Sequence, residues 1–201
     1  MPMQKKEFKY LALGDSYTIG ESVSEQDRWP NQLAARLNIS NPKIIATTGW
    51  RTDDLVGAIK SANLKAEYDL VSLLIGVNNQ YQGKSAKQYE IEFEGLLKTA
   101  IHLAKGKSKN VFVVSIPDYG FTPYGKPKQE LITTQINEFN KINKRITARY
   151  KVTYFNITEI SRRGLQEPEL VAGDGLHPSG EMYTLWVDLM SSELKKAVKQ
   201  K

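Results

Sequence analysis

The chain of 201 residues is 40% hydrophobic and 25% charged, a balance that suits a globular domain with a substantial core and excludes a fibrous or disordered chain. It has no cysteine, which excludes disulfides, thiolate metal sites and a cysteine nucleophile. The net charge of +6 is scattered among acids, except for Lys195, Lys196, Lys199 and Lys201 at a helical C-terminus, and so reads as a solvated surface rather than a nucleic-acid patch.

No apolar run approaches the ~20 residues of a membrane span. Residues 1–7 are polar and run into an apolar stretch without the pattern of a secretory leader, so the expectation is a cytoplasmic protein. Residues 10–13 form an apolar run with no polar face, as in a strand buried on both sides of a parallel sheet. Gly14, Asp15 and Ser16 follow where that strand ends. A polar loop over 21–28 precedes a helix from Trp29-Pro30 to about Leu37, with Pro30 in the first turn, where its missing N–H does no harm. Residues 43–46 form a second strand, and Thr52-Asp53-Asp54 open a helix with an oxygen-bearing cap and first-turn acids, running to about Ala62.

Residues 69–75 are the clearest strand, stopped by Gly76. A helix over 85–105, a strand over 111–115 and an aromatic, Pro- and Gly-rich loop over 117–127 come next. Ile132, Ile136, Phe139, Ile142 and Ile146 then recur at helical spacing over 130–149. A fifth strand over 152–155, a long loop over 167–179 and a helix over 180–196 complete the chain. With no repeat, low-complexity segment or linker, residues 1–201 read as one domain. Strands alternating with helices give an α/β fold, a parallel sheet with helices on both faces in a flavodoxin-like layout.

In such a sheet the loops past the carboxyl ends of the strands share one edge, where ligands bind. The first strand brings Asp15-Ser16 there, the second Gly49, the third Gly76-Val77-Asn78-Asn79. The last long loop brings Asp174-Gly175-Leu176-His177-Pro178. A serine hydroxyl needs a base to become a nucleophile, usually histidine. Of the two histidines, His102 sits in a helical run as a surface or boundary residue, whereas His177 lies on the functional edge. Asp174, three residues earlier, is placed to fold back and hold the Nδ1–H, leaving Nε2 for the serine. The backbone N–H of Ser16, Gly49 and the Asn78 amide are candidate donors to an oxyanion. Taken singly, each of these also fits an ordinary turn or cap.

Gly14-Asp15-Ser16-Tyr17-Thr18, Gly49, Gly76-x-Asn78 and Asp174-x-x-His177-Pro178 resemble, in order and over nearly the whole chain, the four motif blocks of the SGNH hydrolases, also called GDSL esterases/lipases. The resemblance implies a three-layer α/β/α sandwich on a five-stranded parallel sheet and a serine esterase without metal or cofactor. It implies Ser16 as nucleophile, His177 as general base and acid, Asp174 as its orienter, and Ser16, Gly49 and Asn78 as oxyanion donors. Two departures stand out: Tyr17 replaces the name-giving Leu, and Asn79 replaces the Asp that usually ends the third block, removing a charge beside the site.

The expected partner is a small ester: a short-chain acyl ester, an acetylated sugar or a small thioester, with no lid-like apolar insertion for bulk lipid. Asp15, Trp50, Arg51, Tyr119 and Phe121 are candidate substrate contacts, Arg51 for an anionic group. Two other readings are a metal phosphoesterase using Asp15, Asn78, Asp174 and His177 as ligands, and a non-catalytic binding module of the same fold.

Overall fold

The computed structural model describes residues 7–199. The leader reading of residues 1–6 and the last lysine of the cationic tail lie outside them. Five strands form one parallel sheet: β1 (Tyr10–Gly14), β2 (Lys43–Ala46), β3 (Leu70–Leu74), β4 (Val111–Val114) and β5 (Thr153–Phe155), in the order β2-β1-β3-β4-β5. The helices are α1 (Ser16–Ile19), α2 (Trp29–Leu37), α3 (Thr52–Ser61), α4 (Val77–Tyr81), α5 (Ala86–Leu103), α6 (Gln129–Arg149), α7 (Thr158–Ser161) and α8 (Gly180–Lys199). α2 packs on α8, and α5 packs between α3 and α6, which makes the two helical layers of the sandwich. No described helix is long and apolar enough to cross a membrane.

β1, β3 and β4 are buried along their whole length, which is why they read as unbroken apolar runs. The one hydroxyl in β3, Ser72, meets Tyr10 Oη at 2.9 Å, so neither polar atom is stranded. Trp29 and Trp186, from α2 and α8, are fully buried. Burying side chains of that size stabilises by about 1.5–3 kcal/mol or more each. β2, at the edge, is half-covered.

The predicted strands and long helices coincide with the observed ones to within a few residues, the range over which helix and strand ends are soft. Three short helices, α1, α4 and α7, stand where the sequence reads as loop. Thr52, expected as a cap, is instead the first helical residue of α3. The cap position is Arg51, whose N–H donates to Asp54 Oδ2 at 3.0 Å.

The chain leaves β1 for β2 on one side and returns to β3 on the other, so strand order reverses between β1 and β3. That switch point leaves a crevice beyond their carboxyl ends. Gly14 pairs with Leu74 across it, placing Ser16 on one bank and Asn78 on the other.

Candidate active site

Ser16 is the first residue of α1. Asp15 caps that helix by accepting from the Tyr17 N–H at 3.0 Å through Oδ1. The cap turns the chain sharply at the end of β1 and leaves the Ser16 hydroxyl and amide facing the crevice rather than the helix. Across the crevice, Gly76 has φ +131°, and a Cβ there would lie 2.6 Å from Tyr89 Oη. Only glycine lets β3 turn directly into α4 and bring Asn78 forward.

Asn78 Nδ2 donates to the Trp50 carbonyl at 2.9 Å. This leaves its second amide proton free to face the crevice beside Gly49. Gly49 has φ +85°, with open space where a Cβ would be. Its requirement for glycine is therefore conformational, and its amide carries no intramolecular partner among the described hydrogen bonds.

His177 precedes α8. Its Nδ1 lies 2.6 Å from Asp174 Oδ2, and its N–H donates to Asp174 Oδ1 at 2.9 Å. Asp174 also accepts from the Leu176 N–H at 2.9 Å and from the Ser22 hydroxyl at 2.7 Å. Burial pushes the Asp174 carboxyl up, but the donors from Ser22, His177 and Leu176 outweigh it and hold the group well below the usual carboxylate range. A carboxylate so held fixes Nδ1 as the protonated ring nitrogen and turns Nε2 outward.

Ser16, Gly49, Asn78 and His177 line one cavity of about 210 Å³. Val77, Tyr17 and Leu176 give it apolar walls, and Tyr81, Tyr119 and Tyr124 close one side. No hydrogen bond joins the Ser16 hydroxyl to His177 among the described residues, although both line the same cavity. His102 lies on the exposed side of α5. No three His, Asp or Glu side chains of the described residues converge as a metal-ligand set.

Of the five candidate substrate contacts, only Tyr119 reaches the cavity wall. Asp15 is fully buried, so it acts beneath the site and not on substrate. Trp50 contributes its carbonyl to Asn78 while its ring packs on the core. Arg51 is taken by a two-pronged pair with Asp53, at 2.8 and 2.7 Å, and by Gln82 at 2.6 Å. Phe121 turns away, under the Arg162 guanidinium at 5.8 Å from the ring centre.

Several supporting residues had no sequence signal. Ser22 holds φ +66°, uncommon for a non-glycine residue, and from there reaches Asp174, 152 residues on. Asn79 is buried, accepts from the Thr52 N–H at 3.1 Å and donates to Thr52 Oγ1 at 2.6 Å. The Thr52 hydroxyl in turn donates to the Glu92 carboxylate. An aspartate at 79 would have no proton to give Thr52; the amide completes a chain ending on a carboxylate elsewhere. Asn79 thereby fixes the Trp50–Thr52 segment against α4, next to Gly49 and Asn78.

A GDSL-like Lipase/Acylhydrolase family model matches residues 12–185, from within β1 into α8, and so takes in all four blocks. The chain belongs to the GDSL-like lipase/acylhydrolase family. Comparison with curated proteins by sequence gives no match. Among solved structures, the GDSL chain is similar to a lipase/acylhydrolase from Enterococcus faecalis, with 23% identity, TM-score 0.68, and coverage of 94% of this chain and 96% of that one. It is also similar to a lipolytic G-D-S-L protein from Veillonella parvula DSM 2008, with 19% identity, TM-score 0.69, and coverage of 90% and 94%. A third, phospholipase A1 from Streptomyces albidoflavus NA297, has 18% identity, TM-score 0.68, and coverage of 94% and 99%. These likenesses are to the fold, the three-layer α/β/α sandwich on a parallel sheet. Membership of the GDSL family makes the protein a serine ester hydrolase.

Asp15 yields a stability prediction for this GDSL protein. Burial pushes its carboxyl up to about 7, against backbone donors led by the Tyr17 amide, and Oδ2 has no partner among the described residues. The folded state then holds a proton that the unfolded chain releases near pH 4, so stability falls as pH rises from about 4 through 7. Asp174 has the opposite shift, and its contribution is lost only as pH drops below its unfolded value, outside that window. Asp15→Asn keeps the capping oxygen and removes the charge. Unfolding free energies from denaturation at pH 5 and pH 8 should differ by on the order of 2–3 kcal/mol more in the wild type than in the variant. Equal pH slopes in the two proteins would remove this role for Asp15.

Proposed function

We infer that the protein hydrolyses small carboxylic esters or thioesters, short-chain acyl or acetyl-sugar esters among them, through an acyl-enzyme on Ser16. The observation that carries this reading is the 2.6 Å pair of His177 Nδ1 and Asp174 Oδ2, which turns Nε2 to the cavity that Ser16 lines. His177 takes the Ser16 proton as Oγ bonds the ester carbonyl carbon. The carbon–oxygen bond to the alcohol then breaks, and His177 returns the proton to the leaving oxygen. Water, deprotonated by the same ring, attacks the acyl-enzyme; the acid leaves and Ser16 recovers its proton. The amides of Ser16 and Gly49 and the Asn78 side chain receive the negative charge that grows on the carbonyl oxygen. A cavity of about 210 Å³ falls below the range of drug-sized pockets and suits a short acyl group.

A panel of esters of rising acyl length, run with and without a serine-directed phosphonate, tests this. Acetyl and propionyl esters should turn over fastest, and phosphonate should stop all turnover while adding its mass to the Ser16 peptide. Turnover that survives full labelling would sink the reading. Asn78→Ala should lower kcat by about 10²–10³-fold with a smaller change in KM, because the donor matters most once the oxyanion forms. A rate within about threefold of wild type would remove Asn78 from that role.

A further inference from the structure

A second cavity, of about 420 Å³, twice the first, lies behind the tyrosine wall between the end of α4 and the start of α6. Tyr81, Tyr119 and Tyr124 line both spaces and therefore form the partition. Tyr81 Oη and Tyr124 Oη meet at 2.7 Å across the top of it, and the Tyr81 ring stands edge-on to Tyr119 at 6.3 Å. Tyr81 and Tyr124 are 57% and 52% exposed, and Leu131 on the far rim is 56% exposed. These are three of the five large hydrophobic side chains that stand exposed among the described residues, and all three ring this one space. Such clustering marks a binding surface rather than chance exposure.

The far side of the space sets polar groups among the apolar Pro127, Leu131 and Ile132. Gln80 accepts from Tyr119 Oη at 2.8 Å and donates to Gln135 Oε1 at 2.7 Å. Gln135 Nε2 keeps both protons without an acceptor among the described residues, and Lys128 on the rim has no ion-pair partner there. An acyl chain would cover the Gln135 amide without offering it a hydrogen bond, at a cost of roughly 1–3 kcal/mol if that group is stranded. A polyhydroxylated ring matches both halves: its C–H faces lie on tyrosine rings and its hydroxyls accept from Gln135 and Lys128. We propose that this second cavity is the leaving-group subsite, taking a sugar-like alcohol whose acyl ester is held at Ser16 in the first cavity, with the hydrogen-bonded Tyr81–Tyr124 pair parting to let the two halves of the substrate span the partition.

The proposal rests on Ser16 being the acylated residue. In that scheme the alcohol is present only until His177 returns its proton, so the second cavity governs acylation and not the later attack of water. The test compares kcat/KM for an acetylated methyl glucoside and for methyl acetate, whose alcohol is too small to reach across. The two share one acetyl-enzyme, so their ratio reports the alcohol alone. Leu131→Trp, at an exposed position on the rim, narrows the space and should lower that ratio by about tenfold or more. Gln135→Leu keeps the volume and removes the donors, and should lower it severalfold. A ratio that neither variant moves would overturn the proposal. So would a Leu131→Trp enzyme that loses methyl octanoate hydrolysis relative to methyl acetate while the sugar ratio stands, because the space would then hold the acyl chain. Phosphonate labelling at Ser16 is followed in each protein. Its failure in the wild type, together with no turnover of any ester, would take down the Ser16 reading itself, a result distinct from an unmoved ratio.

Discussion

Ser16→Ala should reduce hydrolysis of p-nitrophenyl acetate by at least about 10³-fold, and up to ~10⁶-fold if the hydroxyl is the attacking atom. The large effect should come with almost no loss of stability. The Ser16 hydroxyl makes no hydrogen bond among the described residues, so removing it leaves no buried partner stranded, and the cap of α1 is supplied by Asp15. A serine that held the fold together would show the reverse, a lowered melting temperature with activity lost only in proportion to unfolded protein. Two measurements separate the cases: the melting temperature, expected within about 2 °C of wild type, and the mass added to the Ser16 peptide by an organophosphorus probe, expected in the wild type and absent in the variant. A variant that retains most of its kcat would end the proposal that Ser16 is the nucleophile.

How far this site is legible in the sequence depends on what each residue needs in order to be placed. Ser16, Gly49, Asn78 and His177 need only to follow a strand or precede a helix on the right edge of a parallel sheet, and strand ends are visible as the ends of apolar runs such as 69–75. The same holds for Asp174, whose partner is three residues away. Side-chain direction is not visible in that way. Trp50 and Arg51 sit beside Gly49, yet Arg51 is captured by an aspartate two residues on, and Phe121 is drawn from its neighbour Tyr119 towards Arg162. The short helices α1 and α4 are hidden for a related reason: four or five residues carry no periodicity, and a side-chain cap at Asp15 and a left-handed glycine at Gly76 make them. Long-range partners leave no mark at all. Ser22 reaches Asp174 over 152 residues, and the replacement of the usual Asp by Asn79 makes sense only once Thr52 and Glu92 are seen beside it.

Asp174→Asn should lower kcat by about 10³–10⁴-fold, nearly as damaging as losing the base itself, although it changes a single atom. The carboxylate accepts at both oxygens: Oδ1 from the backbone amides of Leu176 and His177, Oδ2 from Ser22 and the His177 ring. An asparagine here keeps its carbonyl oxygen on the two amides, whose positions are set by the backbone, and puts its NH₂ where Oδ2 was. Nδ1 of His177 must then accept instead of donate, which moves the ring proton to Nε2. A ring protonated at Nε2 offers Ser16 a donor where catalysis needs an acceptor, so the hydroxyl cannot be deprotonated although every atom of the cavity is in place. The Ser22 hydroxyl would also lose its acceptor, but Ser22 is exposed and water replaces it. The measurement that isolates this cause is nitrogen NMR of the His177 ring alongside kcat. The wild type should show the Nδ1-protonated form and the variant the Nε2-protonated form, at an unchanged melting temperature. Loss of activity with the ring still protonated at Nδ1 would mean that Asp174 acts through its charge on the imidazolium and not through the tautomer. An undiminished kcat would detach Asp174 from the reaction altogether.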